Sequence, residues 1–238
     1  MNESKRSALV LGGTGAVGSA VLAELTRAGI PSAFTYNQAE ARARALENEL
    51  AARALRLDLA DPTSLGRLAA SLEAEGVLPD VVIHCAAIVR TARVFEATDD
   101  DWEATMALNA RSVFQVCREF GRRLEGRGGD LVFVSALDRT QSLPVPAIFA
   151  ASQGASSALV MAAAKDLGPR GVRANVVALG LLDAGIGTQL DPKLADEYRN
   201  FSALRRLGTP EEAAKTITWF ALHNTYANGK VLSANGGI

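Results

Sequence analysis

The sequence predicts an α/β protein: a single domain (1–238) built on a doubly wound parallel sheet of about seven strands, with helices on both faces. Three observations carry this. Short apolar runs and longer helical patterns alternate along the whole chain. The apolar runs, such as Ala8-Leu9-Val10-Leu11 and Val81-Val82-Ile83, are continuous instead of alternating with polar residues, as in strands covered on both faces. A glycine turn follows the first run directly and opens a helix.

That turn is Gly12-Gly13-Thr14-Gly15-Ala16-Val17-Gly18, with Gly12, Gly15 and Gly18 at every third position. Glycine allows a tight turn, close approach of backbone amides to a pyrophosphate, and close packing of helix on strand. The helix N-terminus adds partial positive charge for the same anion. The arrangement is Rossmann-like; the plainer reading is a tight turn in another α/β protein.

The remaining elements follow in order. The first helix covers 16–28; Gly29 ends it and Pro31 bars its continuation. Residues 32–36 form the second strand, 39–52 a helix, 54–57 the third strand and 63–75 a helix. The fourth strand and its exit are 81–87, followed by one long helix, 99–124, with Asn109 inside it. The fifth strand is 130–135, and a proline-containing loop leads to a small-residue helix, 148–167. The sixth strand is 173–178. Residues 179–207 read as a long irregular segment with a short helix near 192–199, followed by a helix at 210–223 and a closing strand at 230–233.

Composition narrows the function classes. With 25 basic and 26 acidic residues the net charge is −1, so nothing points to nucleic acid or an anionic membrane. The first seven residues are polar and lack the apolar core of a signal peptide. No apolar run approaches the roughly 18 residues of a membrane span. Cys85 and Cys117 are too few for a disulfide scaffold, and His84 and His223 too few for a histidine-rich metal site. A soluble cytoplasmic protein without a metal is expected. At the tip of the second strand, Tyr36-Asn37 offers no carboxylate for the ribose hydroxyls of NAD. This favours NADP, with Arg42 or Arg44 as phosphate partners or simply solvated helix charges.

Five stretches carry a family resemblance: Asp58 after the third strand, Asn109, the run Gly171-Val172-Arg173-Ala174-Asn175-Val176-Val177, the run Leu204 through Glu212, and Asn228-Gly229-Lys230-Val231-Leu232 with Gly236-Gly237. With them the chain resembles the short-chain dehydrogenase/reductase family over nearly its whole length, and within it the β-ketoacyl-[acyl carrier protein] reductases. The resemblance implies a homo-oligomer, dimer or tetramer, and a substrate that is a small molecule or carried on acyl carrier protein. It implies cofactor contacts at Gly12, Thr14, Gly15, Val17 and Gly18, at Tyr36 and Asn37, and at Asp58 and Leu59. Further contacts fall at Cys85, Ala86, Ala87, Gln153 and Gly180. Asn109 matches a structural asparagine that in the family helps hold a proton-relay water, and 179–207 matches the lid over the substrate.

The chain also departs from the pattern. Its glycine loop reads G-x-x-G-x-x-G where this branch has G-x-x-x-G-x-G. The family's catalytic Ser and Y-x-x-x-K match Ala136, Phe149 and Gln153. Phe149 has no proton to give, and Gln153 carries no charge to lower a neighbouring pKa. Lys165 lies 12 positions beyond Gln153, about 18 Å along a helix.

Three readings remain. The first is a catalytically degenerate member acting as a partner or regulatory subunit, in a hetero-oligomer with an active homologue. The second is a rewired NADP-dependent oxidoreductase, dehydratase or isomerase using Ser135 and Asp138, with Arg139, Gln141 and Ser142 on the same loop. Asp138 and Arg139 read equally as solvated loop charges, and His84 reads better as a hydrogen-bonded core residue than as a catalyst. The third is a module that binds a nucleotide or acyl ligand without turnover. The lid's Leu181, Leu182, Ile186, Leu190, Leu194, Tyr198 and Phe201 suit an apolar ligand, the lid's own small core, or an oligomer contact.

Overall fold

The computed structural model describes residues 6–136 and 145–238. One seven-stranded sheet has the order β3-β2-β1-β4-β5-β6-β7. Its strands are β1 (Ala8–Leu11), β2 (Ser32–Tyr36), β3 (Arg53–Arg56), β4 (Val81–His84), β5 (Gly129–Ser135), β6 (Val172–Leu179) and β7 (Val231–Ala234), and every pairing is parallel. The strand order reverses between β1 and β4, whose register pairs Val10 with Ile83 and Leu11 with His84. In such sheets the ligand crevice lies outside the strand C-termini at this switch point.

The helices are α1 (Ala16–Arg27), α2 (Glu40–Leu50), α3 (Ser64–Ala74), α4 (Asp99–Met106), α5 (Ser112–Leu124), α6 (Ala147–Leu167), α7 (Pro192–Phe201) and α8 (Pro210–His223). Side chains alternate across the sheet, so each strand feeds two cores. Leu9 and Leu11 point into one core, with Leu65, Val116, Phe120 and Val160 from α3, α5 and α6. Ala8 and Val10 point into the other, with Val21, Leu25 and Ile217 from α1 and α8. This is why the strands read as continuous apolar runs.

Two helix starts are written in the sequence. Thr98 and Asp101 cap α4 reciprocally, and Thr209 and Glu212 do the same for α8, where Pro210 takes the first turn. Arg206 holds the Glu212 carboxylate at 2.6 and 2.7 Å.

Two expectations are corrected here. The helix expected over 99–124 is interrupted: Ala107–Arg111 is a turn of π-helix between α4 and α5, and Asn109 sits in it. The wider turn lets the buried Asn109 side chain bond the backbone of Ile88, accepting from its N–H and donating to its carbonyl, both at 2.9 Å. The second correction concerns apolar length. The stretch Ala147–Arg170 is long and apolar enough, by length and composition, to cross a membrane. In the fold, Val160, Ala164 and Leu167 of this stretch pack into the core on one sheet face. The lid contains α7 and, before it, a short 3-10 turn at Gly185–Gln189.

Candidate ligand pocket

A pocket of about 450 Å³ opens at the C-terminal ends of the strands, where the strand order reverses. Its floor is the glycine turn. Gly12 has φ +80°, and a Cβ there would stand 2.8 Å from Ala86 Cα, so only glycine lets the turn pass this close to the exit of β4. Thr35, on β2, fastens the turn: its hydroxyl accepts from Gly12 N at 3.1 Å and its carbonyl from Gly13 N at 2.9 Å. Gly15 is the N-cap of α1 and brings no side-chain acceptor, so the first amides of that helix face the pocket without a side-chain cap.

Most of the expected cofactor residues converge here. Gly12, Thr14, Gly15, Val17, Tyr36, Asn37, Leu59, Cys85, Ala86, Ala87, Gln153 and Gly180 all line the pocket. Two do not. Gly18 is buried behind the turn, where a Cβ would collide with the Gly12 carbonyl oxygen; it serves packing, not contact. Asp58 is exposed outside the lining; its Oδ1 accepts from Ala60 N at 2.9 Å and from Asn37 Nδ2 at 3.5 Å. Arg44 pairs with Glu40 one helical turn away.

At the other end of the pocket stand Ser135, Ala136, Phe149 and Gln153. Phe149 and Gln153 are buried on the first turns of α6. The Gln153 carbonyl oxygen accepts from Ala136 N at 3.1 Å, tying α6 to the end of β5. Ser135 is buried, 3.5 Å from the hydroxyl of Ser157. Asn109 does not line the pocket. Its Nδ2 also reaches Ser152 Oγ at 3.0 Å, and its carbonyl accepts from Ser156 Oγ at 2.6 Å. Every polar group of its side chain is therefore engaged within the chain, and its place is that of a clasp between the turn after β4 and α6. Asp138, with Arg139, Gln141 and Ser142, lies outside the described residues.

Among the described residues, no side chain lining this pocket is charged. Desolvation pushes the thiol of the half-buried Cys85 up to about 12, so it is protonated at neutral pH. His84 lies directly behind Cys85, fully buried, with Nε2 2.8 Å from Ser112 Oγ. Ser112 Oγ donates its hydrogen bond to the Leu108 carbonyl, so it accepts from His84 Nε2. Burial holds the His84 pKa down at about 4, so the ring is neutral at physiological pH. It is a core histidine, as its place in the strand suggested.

Three partners escaped the sequence reading: Gly13, whose missing Cβ makes room for Phe34; Thr35; and Ser112. Thr35 had a usable signal, a hydroxyl beside the strand tip next to a glycine turn.

A parallel sheet reversing at β1 and β4, a glycine turn capping α1 and a pocket over both define a single-domain α/β protein of the dinucleotide-binding fold class. The chain belongs to the short-chain dehydrogenase/reductase family: the family model described as Enoyl-(Acyl carrier protein) reductase matches residues 13–238. It is similar to the 3-oxoacyl-[acyl-carrier-protein] reductase FabG of Chlamydia trachomatis, 28% identical over 161 residues. That match covers 67% of this chain but only 65% of the relative's length. It is also 28% identical over 218 residues to the cyclic-di-GMP-binding biofilm dispersal mediator protein of Escherichia coli, covering 91% of this chain and 89% of that one. Among solved structures, a blue fluorescent protein from a metagenomic library, in complex with NADPH, superposes with a TM-score of 0.88. It is 28% identical, and the superposition covers 100% of this chain and 99% of that one.

Proposed function

We infer that this chain binds a nicotinamide dinucleotide, NADPH in preference to NADH, and is a poor ketoreductase that serves as a partner or regulatory subunit. One observation carries the reading. The glycine turn and the uncapped start of α1 line the pocket, which suits a pyrophosphate, while the described wall at the reacting end, with Ala136, Phe149 and Gln153, holds no acid or base tuned near neutral pH. In the family resemblance these three positions are those of the Ser, Tyr and Lys. Gly12, Thr14, Gly15 and Val17 would hold the phosphates and Tyr36 and Asn37 the adenosine end. A bound NADPH would supply a hydride. Removing a positioned general acid costs about 10²–10⁴-fold in rate, and more is lost with substrate orientation.

The NADPH complex of the structural neighbour supports the cofactor class. The name of the Escherichia coli relative supports a role other than turnover within this family. For a partner surface, the exposed Trp102 and Phe114 on the α4–α5 side, next to small residues of α6 such as Gly154 and Ala158, suit a second family member: another copy of this chain or an active homologue. We place the protein in the cytoplasm.

A rewired enzyme is the second reading. Ala136 and Val145, the described residues on either side of 137–144, both line the pocket. Substitution of Asp138 or Ser135 would then abolish activity found in a substrate screen.

The test is calorimetric titration with NADPH and NADH, followed by turnover of a 3-oxoacyl thioester. Micromolar NADPH binding with no turnover above background is expected. Absence of binding at millimolar cofactor overturns the dinucleotide reading, and efficient turnover overturns the degenerate one.

A further inference from the structure

We propose that Tyr198 is the latch that holds the 184–202 segment closed over the pocket, and that its release governs ligand exchange. Two of the residues of α7 are buried, Leu194 and Tyr198, and both line the pocket. Neither belongs to the two sheet cores, so α7 is seated on the cavity itself. The 3-10 turn before it buries no residue at all.

The segment is pinned at both ends by backbone. Asp183 N donates to Gly208 O at 3.0 Å and Gly208 N to Leu181 O at 3.1 Å. Beyond α7, Leu204 N donates to Gly236 O at 3.1 Å. Between these pins the Tyr198 hydroxyl makes the anchoring contact. It donates to Asn235 O at 2.5 Å, just past β7, and rests on Gly180, just past β6. A Cβ at Gly180 would land on the hydroxyl, so glycine there is the seat of the latch. Gly185, with φ +73°, stands at the start of the span and supplies a backbone bend open to few other residues. The ring also forms wall shared between the main pocket and a smaller cavity of about 160 Å³ behind it. An element with two buried residues, held by few contacts between its end pins, opens locally at low free-energy cost.

The proposal uses the ligand-binding reading only for its kinetic arm. Amide hydrogen exchange on the ligand-free protein tests it first. Tyr198→Phe keeps the ring and removes one hydrogen bond, so amides of 193–202 exchange about fivefold to tenfold faster, with β1, β4 and β5 unchanged. Gly180→Ala, whose Cβ would land on the hydroxyl and stand 2.8 Å from Asn235 Cα, also speeds exchange in 193–202, with added change at the ends of β6 and β7. Stopped-flow mixing with NADPH then shows faster association and faster dissociation in Tyr198→Phe. Unchanged exchange in 193–202, or acceleration spread evenly over the core strands, overturns the latch. If wild-type protein fails to bind NADPH, the cofactor reading falls, while the exchange result still decides the latch.

Discussion

Lowering the pH should destabilise this protein in a window that belongs to one residue, His84. Its pKa falls from 6.5 in the unfolded chain to about 4 in the fold because burial penalises the charged ring. The unfolded state therefore binds more protons between these values. The stability that His84 contributes is fully present above pH 6.5 and is lost as the pH falls towards 4. At about 1.4 kcal/mol per tenfold change, the loss amounts to about 3 kcal/mol. Other perturbed groups titrate elsewhere. Asp61 is held at about 2 chiefly by bonds from Thr63, and Glu212 at about 2 chiefly by Arg206, so their contributions disappear only below the ordinary carboxylate range. The assay is urea denaturation at half-unit steps from pH 7.5 to 4.5, for wild type and His84→Gln. Glutamine retains a donor for Ser112 and does not titrate. Wild type should lose about 2 to 3 kcal/mol more than the variant across the series. Parallel curves would show that His84 is not a buried neutral ring, and the account of the strand behind Cys85 would fail with it.

Two further predictions concern the clasp and the reacting end. Asn109→Leu removes three side-chain hydrogen bonds and leaves the Ile88 amide and carbonyl without them; it should cost about 3 kcal/mol. Differential scanning calorimetry should record this as a Tm drop of about 6 to 12 °C, and a change below 2 °C would refute the clasp. Ala136→Ser combined with Phe149→Tyr and Gln153→Lys should raise ketoreduction of a 3-oxoacyl thioester by about 10²-fold over the parent. A folded, NADPH-binding triple variant with no gain would show that the pocket does not align with that of active family members.

The parts of the fold legible in the sequence are those where burial dictates residue type locally. β1 and β4 are covered on both faces, so their continuous apolar runs could be read directly, as could the helix that starts at Pro210. The glycine turn was legible as a cradle, but the role of each glycine was not. Gly18 looks like Gly12 in sequence, yet it makes room for a carbonyl behind the loop and not for a ligand. The π turn was illegible because Ala107–Arg111 has ordinary helical composition. What opens the turn is a set of bonds from Asn109 to Ile88, Ser152 and Ser156, between 21 and 47 positions away in the chain. The contrast between Asn109 as relay and Asn109 as clasp likewise depends on Ser152 and Ser156, whose side chains resemble any helical serine until α6 is docked.

The described pocket wall, having no charged side chain, sets how an anion is held there. A phosphate gripped by lysine or arginine loses affinity as salt rises, because mobile ions compete with and screen the pair. A phosphate held by the amide dipoles of a glycine turn and one helix end meets a fixed, short-range field of partial charges. On the dinucleotide reading, affinity should fall less steeply with salt than at a site that grips its phosphates with lysine or arginine. Recognition of the dinucleotide would be chiefly a matter of shape and hydrogen-bond direction.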